Sequence, residues 1–171
     1  MKSFYLFILL FILIGCKSSI LERKNSKIIE CPTILFSKEN KVYIDSKYED
    51  ISLDNISYTA EINNAVFNKG CKIIDGSFSS KISILFVVNP LVQEQEGIKL
   101  PFYIAILDKQ KNVENLEYFL INDNFKKNHE TKNLIETEIT ISKQINFELN
   151  NNMETIIIGF MLDEEKIKLL N

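Results

Sequence analysis

Apolar and polar residues alternate along most of the chain beyond residue 31, which is the pattern of β-strands that bury one face. Residues 56–62 alternate strictly, and residues 78–88 alternate again with phenylalanine, isoleucine and valine in one phase. The remaining strand candidates are 33–36, 100–107, 116–121, 135–141 and 154–161. Connections that contain turn-forming residues, such as Asp75-Gly76, separate the strand candidates. Short strands in this number and spacing predict an antiparallel, immunoglobulin-like β-sandwich.

One short helix is predicted at the carboxyl-terminal end of the sandwich. Residues 163–170 carry apolar positions at helical spacing, and acidic residues fill the first turn. Asp163 is placed to cap the helix start. The fold class is therefore mainly β with a short C-terminal helix, and residues 31–171 form a single domain.

Composition agrees with a globular domain and narrows the choice of partner. Hydrophobic residues make up 46% of the 171-residue chain and charged residues 25%, which is ordinary for a folded domain and unlike a disordered one. The 20 basic and 23 acidic residues give a net charge of −3. Because the two signs are interspersed, the chain has no basic stripe that would follow a phosphate backbone, and we expect no nucleic-acid partner.

The amino-terminal segment resembles the signal peptide of a bacterial lipoprotein. Residues 1–15 begin with Met-Lys-Ser, continue with an uncharged apolar run over 4–14 and end in glycine. The run spans roughly 16 Å as a helix, which is about half of the roughly 30 Å hydrocarbon core of a bilayer. Leu13-Ile14-Gly15-Cys16 resembles a lipobox, in which the cysteine thiol is acylated and the chain is cleaved before it. An ordinary signal peptide followed by a chance cysteine is the alternative.

The predicted lipid anchor sets the expected location of the protein. Residues 16–30 are mostly polar and form a short tether, whose reach as a flexible coil is roughly 20 Å. The domain would then face the periplasm close to the bilayer that holds the acylated Cys16. Lys17 follows the cysteine where an inner-membrane retention signal would have aspartate, so the outer membrane is preferred.

Three cysteines leave one pair after lipidation. If Cys16 carries the lipid, Cys31 and Cys71 remain, and an oxidising compartment favours a disulfide between them. Such a bridge would close a loop of about 40 residues and stabilise the domain by about 4 kcal/mol in the chain-entropy model. Free thiols or a metal site are the alternatives, although the cysteine spacing and a distant His129 do not match zinc ligands.

Candidate catalytic chemistry is sparse. The single histidine, His129, lies in a polar stretch typical of an exposed loop, and no nucleotide-binding or hydrolase motif occurs in the chain. Glu136 and Glu138 lie two apart on a predicted strand, so both carboxylates share one face. That pair is suited to cation binding or acid–base work, or else it is part of an ordinary charged sheet surface.

Two further groups have both a structural and a functional interpretation. Pro101 is followed by Phe102 and Tyr103, which places aromatic rings on both faces of a strand. Tyr103 is therefore either a surface aromatic or a ligand-stacking residue. An acidic group in a predicted connection lacks the spacing of a calcium loop and gives weak support for a metal. Its members are Asp45, Glu49, Asp50 and Asp54.

The order of several small motifs resembles a group of uncharacterised alphaproteobacterial envelope lipoproteins over about 140 residues. The motifs are Cys31-Pro32, a second cysteine at the start of a strand, Pro101-Phe102-Tyr103-Ile104-Ala105, Glu136 with Glu138, and Gly159-Phe160-Met161-Leu162 before the helix. The resemblance implies an envelope lipoprotein with a β-rich domain. It implies no activity.

Two classes of function follow from the sequence. A non-catalytic binding or assembly module is favoured, because a tethered sandwich offers edge strands and loop ends to an envelope protein partner. The alternative is a carboxylate-dependent hydrolase or a domain that binds a small ligand or cation through Glu136, Glu138 and Tyr103. No catalytic residue, metal or cofactor is predicted, and the second class requires these three side chains to converge on one concave site.

Overall fold

The computed structural model describes residues 26–46, 48, 51–148 and 153–170. The predicted signal peptide, Cys16 and the tether up to residue 25 lie outside the described residues, as do Glu49 and Asp50 of the acidic group. The described part of the chain is mainly β, with antiparallel sheets and one short helix near its end, as the alternation predicts.

Twelve strands precede the helix in the described residues. They are β1 (Ser26–Ile29), β2 (Thr33–Phe36), β3 (Val42–Ser46), β4 (Ile56–Phe67), β5 (Cys71–Ile74), β6 (Ser77–Pro90), β7 (Gly97–Asp108), β8 (Val113–Asn124), β9 (Lys126–Lys127), β10 (Leu134–Ile135), β11 (Thr137–Glu148) and β12 (Met153–Phe160). The helix is α1 (Glu164–Leu170). Strands β9 and β10 form a small ribbon of their own.

Sheet A contains β1, β3, β4, β5, β6 and β11 and is organised around β6. Strand β11 pairs with one edge of β6, from Thr137 opposite Val88 to Glu148 opposite Ser77. Strands β4 and β5 share the other edge, because both pair with β6 at different positions along it. Strand β3 then pairs with β4, and β1 pairs with β5.

Sheet B contains β2, β12, β7 and β8 in that order. The pairs β12–β7 and β7–β8 are antiparallel, whereas β2 runs parallel to β12. Strand β8 therefore forms one edge of sheet B and the four-residue β2 forms the other. Strands β12 and β7 are each paired on both sides and form the interior of this sheet.

The two sheets pack against each other through aromatic rings. Phe86 on β6 lies 5.2 Å from Phe102 on β7 and 5.7 Å from Phe160 on β12, measured between ring centroids. Tyr43 on β3 lies 5.4 Å from Phe160 in the same way. All three phenylalanines are fully buried. Rings from opposite sheets thus form the core, as expected for a sandwich-like arrangement.

Three local features predicted from the sequence are present, namely a turn, a helix cap and a disulfide. Asp75 and Gly76 join β5 to β6 as a two-residue turn, and both have positive φ, 51° and 84° respectively, which suits the twist of a hairpin. The backbone N–H of Lys166 donates to Asp163 Oδ1 at 2.8 Å, which is the predicted cap of α1. The Cys31–Cys71 disulfide is also confirmed, with the two Cα atoms 5.1 Å apart.

The structure differs from the sequence prediction at several short elements. Strand β1 lies within the residues predicted as tether, so the folded domain begins at least five residues before residue 31. Strand β3 lies in a predicted connection, and the predicted strand 135–141 is interrupted at Glu136. Strands β1 and β3 have only four and five residues without a clear alternation, and they form here because a neighbouring strand pairs with them.

Candidate functional site

The outer surface of sheet B carries apolar side chains where solvent-facing positions are ordinarily polar. On β7, Phe102, Ile104 and Ile106 point into the core, so Pro101, Tyr103, Ala105 and Leu107 point outward. The neighbouring β8 presents Leu116, Tyr118 and Leu120 on the same side, as its pairing with β7 requires. Strands β7 and β8 therefore carry apolar side chains both on the face that packs in the core and on the face that points to solvent.

Cross-strand register joins these residues into one continuous patch. Ala105 lies opposite Leu116 on one side and opposite Ile157 on the other, and Ile157 lies opposite Leu35. We call this patch the apolar face. Its members are Leu35, Pro101, Tyr103, Ala105, Leu116, Tyr118, Leu120, Ile157 and Gly159. None of them is charged.

Several residues of the apolar face are well exposed. Tyr118 is 61% exposed, Leu120 59%, Leu35 49% and Leu116 41%. Single exposed apolar residues are normal on a protein surface, but a contiguous set on one sheet is typical of a binding surface. The apolar face is therefore the strongest candidate for a functional surface in the described part of the chain.

The outer surface of sheet A has the opposite character. Ser83 and Ser142 lie across from each other on β6 and β11, with their hydroxyl oxygens 2.7 Å apart. Gln144 Nε2 donates to Ser79 Oγ at 3.0 Å one step along the same face. Glu138 and Thr140 continue this polar surface at the other end of β11. The outer surface of sheet A is thus mainly polar, although Leu85 and Val87 of β6 also lie on it, whereas the outer surface of sheet B is apolar.

Tyr103 has a structural explanation within the apolar face. It lies directly opposite Gly159 on β12, and its ring covers the space above that glycine. A Cβ atom built on Gly159 would lie 2.7 Å from Tyr103 Oη, which is far inside van der Waals contact. An aromatic ring laid over a cross-strand glycine fills the volume that the missing side chain leaves.

The three residues proposed from the sequence as a ligand site do not come together. Glu138 points outward from sheet A and Tyr103 points outward from sheet B, so they lie on opposite surfaces of the sandwich. Glu136 is exposed between β10 and β11. His129 is exposed in the turn between β9 and β10. The arrangement supplies no concave site in which both carboxylates approach the tyrosine.

A shallow depression at one end of the sandwich brings together a different set of polar groups. It is lined by Asp45, Ser46, Gln95, Gly97, Ile98, Lys99, Asn122 and Asp123. Gln95 Oε1 is buried there and has no hydrogen-bond partner within the described residues. Two carboxylates and one ammonium group line this depression. Asp45 was predicted to lie in a connection, because the five residues of β3 do not alternate between apolar and polar side chains.

Beneath the depression, the fully buried Tyr58 links the two sheets. Its hydroxyl lies 2.8 Å from both Asp45 Oδ2 and the backbone oxygen of Lys99, and it accepts from the Lys99 N–H at 3.0 Å. Burial is the main factor that raises the pKa of Tyr58, and the nearby Asp45 carboxylate also raises it. The phenol therefore keeps its proton and serves as a structural bridge, not as a base.

Metal binding and membrane crossing have no further support in the described ranges. Within them, no three histidine, cysteine or acidic side chains are grouped as a metal site would require. The described residues also contain no helix with the length and apolar character needed to cross a membrane.

Comparison with known proteins finds no match. No protein family matches the chain, no curated protein matches its sequence, and no solved structure matches its fold.

Proposed function

We propose that this chain is a membrane-anchored lipoprotein of the cell envelope that acts as a non-catalytic binding or assembly module. The apolar face is the observation that carries the proposal. It is uncharged, contiguous across all four strands of sheet B and exposed at Leu35, Leu116, Tyr118 and Leu120. Covering such a surface removes apolar area from water, which stabilises a complex by roughly 25 cal/mol per Å² before the costs of association.

A protein partner suits the geometry of this face. A sheet surface is broad and nearly flat, whereas a small ligand is held in a concave cleft. Aromatic residues such as Tyr103 and Tyr118 are enriched at the centres of protein interfaces, where charged residues are depleted. The partner we propose is an envelope protein with an apolar patch of matching size.

The proposed anchor is a diacylglyceryl group on Cys16. Nine residues lie between Cys16 and Ser26, where the described domain begins, and the ten residue steps would span at most about 35 Å when fully extended. The domain would thus work within one protein diameter of the bilayer, facing the periplasm, and the outer membrane is the preferred site. Two or three acyl chains give a firm attachment, because each buried CH₂ contributes about 0.8 kcal/mol.

The anchor is tested by replacing Cys16. Intact-mass measurement of native protein should show an acylated amino-terminal cysteine, and Cys16→Ser should abolish both the acylation and the cleavage before residue 16. An unmodified Cys16 in the native protein would contradict the proposal.

The binding role is tested by placing a charge on the apolar face. Leu120→Lys changes an exposed residue, so the domain should fold normally but lose its partner in cross-linking of intact envelopes. Thr140→Lys is the matched control, because Thr140 is exposed on the polar outer face of sheet A. If both variants cross-link like the unmodified chain, the apolar face is not the docking surface.

A double variant tests the alternative that the chain is a hydrolase or a cation-binding domain that uses Glu136 and Glu138. Glu136→Gln combined with Glu138→Gln removes both charges and keeps the size of both side chains. We expect this variant to retain the cellular role of the protein, because both residues are exposed and do not meet Tyr103. A folded, membrane-located double variant that behaves as a deletion would favour a hydrolase or cation-binding domain.

A further inference from the structure

Strand β8 is a long exposed edge of sheet B whose main protection against pairing with another strand is charge, including the inward-pointing Glu117. It contains no proline, glycine or lysine, and its register with β7 runs without a shift from Asn115 to Asn124. Natural edge strands are commonly shortened, bulged or covered. The opposite edge of sheet B is the four-residue β2, and the β3 edge of sheet A lies near α1, where Lys166 Nζ sits 5.1 Å from the Tyr43 ring centroid.

Two charged side chains beside β8, Lys143 and Glu117, form no salt bridge with any described residue. Lys143 on β11 points toward sheet B and places its Nζ 4.7 Å from the centroid of the Phe119 ring on β8. No carboxylate among the described residues lies within salt-bridge distance of this ammonium group. Glu117, two positions before Phe119 on the same side of β8, contacts no described cation, and its Oε1 accepts only from Asn115 Nδ2 at 3.3 Å.

We propose that two copies of this chain associate through antiparallel pairing of β8 with β8 of the second copy, centred on Tyr118. In this register Glu117 of one copy lies directly opposite Phe119 of the other. Since Lys143 already sits on Phe119, each Glu117 carboxylate meets the Lys143 ammonium group of the other copy. The twofold symmetry forms this ion pair twice.

Twofold symmetry and the position of Lys143 over Phe119 favour this register. Residues that face each other across an antiparallel pair point to the same side of the sheet, so a twofold pairing must be centred on one residue. Centring on Glu117 would place two like charges opposite each other, which is unfavourable. Centring on Tyr118 pairs Leu116 with Leu120, leaves no like charges opposite and brings Glu117 to Phe119.

The resulting dimer joins both copies of sheet B into one continuous sheet. Leu116, Tyr118 and Leu120 stay on the outer surface, so the two apolar faces become one larger surface and remain available to a partner. The dimer goes beyond the proposed function and depends neither on the lipid anchor nor on the identity of the envelope partner. Its failure would therefore leave the docking proposal standing, and the reverse also holds.

The test mixes two charge-reversed chains. Glu117→Lys should weaken self-association by about tenfold or more, because an introduced lysine then faces Lys143 of the other copy, and Lys143→Glu should do the same with two carboxylates. Mixed in equal amounts, the two variants should form a heterodimer in which both ion pairs are restored. Sedimentation equilibrium of the full chain carrying Cys16→Ser, in a density-matched detergent that covers its uncleaved apolar segment, measures each case against the 19.8 kDa monomer mass.

The matched controls reverse one glutamate and one lysine that lie away from β8. Glu138→Lys and Lys81→Glu lie on the outer face of sheet A, and neither variant should change the association. A rescue by mixing cannot arise from contacts within one chain, so it separates the dimer from a local effect of Lys143 on its own β8. An unmodified chain that stays monomeric up to about 0.1 mM would overturn the proposal. Singly reversed variants that dimerise normally, or that fail to combine on mixing, would also overturn it.

A second measurement covers the case in which a reversed variant does not fold. Tyr118 faces itself across the twofold axis, where Cβ atoms of opposed residues lie about 4.5–5.5 Å apart. In the Cys16→Ser background, Tyr118→Cys should therefore form an intermolecular disulfide on mild oxidation. Leu120→Cys faces Leu116 of the other copy and should form far less. Equal cross-linking at both positions, or none at either, would contradict the register.

Discussion

The hydroxyl of Tyr58 lies 2.8 Å from Asp45 Oδ2, and the same oxygen bonds both backbone polar groups of Lys99. Tyr58 and Asp45 belong to sheet A, whereas Lys99 belongs to β7 of sheet B. The contact is thus a polar link between the two layers of an otherwise apolar core. Tyr58 is fully buried and Asp45 is half-buried, so their polar groups would be costly to leave unpaired.

Removing this hydroxyl should destabilise the domain. Tyr58→Phe keeps the ring but leaves the Lys99 N–H without its hydroxyl partner and removes one of the hydrogen bonds to Asp45, so we expect a loss of about 1–3 kcal/mol in the free energy of unfolding. Urea unfolding measures the change. Tyr118→Phe is the control, because Tyr118 is largely exposed and its replacement should cost less than about 0.5 kcal/mol. Equal midpoints for both variants would exclude the bridging role.

Stability should decrease at alkaline pH. Burial is the main cause that raises the pKa of Tyr43 and of Tyr58 above 10.0, and the Asp45 carboxylate adds to both shifts. Unfolded tyrosines ionise near pH 10, whereas these two keep their protons in the folded chain. The stabilisation is complete below about pH 10 and is lost as the pH rises from there toward the folded pKa.

Urea midpoints between about pH 8 and about pH 11 test this dependence. Tyr43→Phe should flatten the decline, since that variant has one fewer group whose proton affinity differs between the folded and unfolded states. A midpoint that stays constant over the range would show that neither phenol is shielded as the structure indicates.

Loss of the disulfide should be among the most damaging changes to stability. Cys31 and Cys71 are separated by 40 positions, so their bond removes much of the freedom of the unfolded chain. Replacing both by alanine should cost roughly 2–5 kcal/mol, measured by urea unfolding under oxidising conditions. Cys16→Ala provides the control and should leave the midpoint unchanged. A loss below about 1 kcal/mol would mean that β1 and β5 hold together without the bond.

Gly159 and Tyr103 should be energetically coupled. Gly159→Ala brings a methyl group into the Tyr103 ring, which must move, and we expect a cost of about 1–3 kcal/mol. In a chain that already carries Tyr103→Ala, the same methyl group meets no ring, so the cost should become smaller. A double-mutant cycle on the free energy of unfolding measures this difference. Additive costs would indicate that the ring does not lie over the glycine.

The long strands could be predicted from the sequence because their alternation is a local property. The core positions of residues 56–62 and 78–88 repeat every second residue, and burial follows that repeat in the structure. Strands β1 and β5 could not be predicted in this way. Each has four residues, and they form because they pair with each other beside Cys31 and Cys71.

The candidate surface was harder to predict than the fold. Residues 116–121 contain apolar side chains in both phases, so the alternation predicts a strand without indicating which side is covered. Only the order of strands in sheet B shows that Leu116, Tyr118 and Leu120 face away from the core. The carboxylates proposed from the sequence failed to converge with Tyr103 for the same reason, because assignment to one of two sheets is a tertiary property.

The Cys31–Cys71 bond also fixes how far the domain can be pulled from its amino-terminal side. Tension applied before Ser26 would peel β1 away from β5, starting at the Ser26–Ile74 pair and ending at Ile29 beside Cys71. At Cys31 the force would pass through the sulfur atoms into β5 and the β6 hairpin, so β2 would not be drawn out of sheet B. The chain would lengthen by roughly 20 Å and then resist as a covalently closed unit.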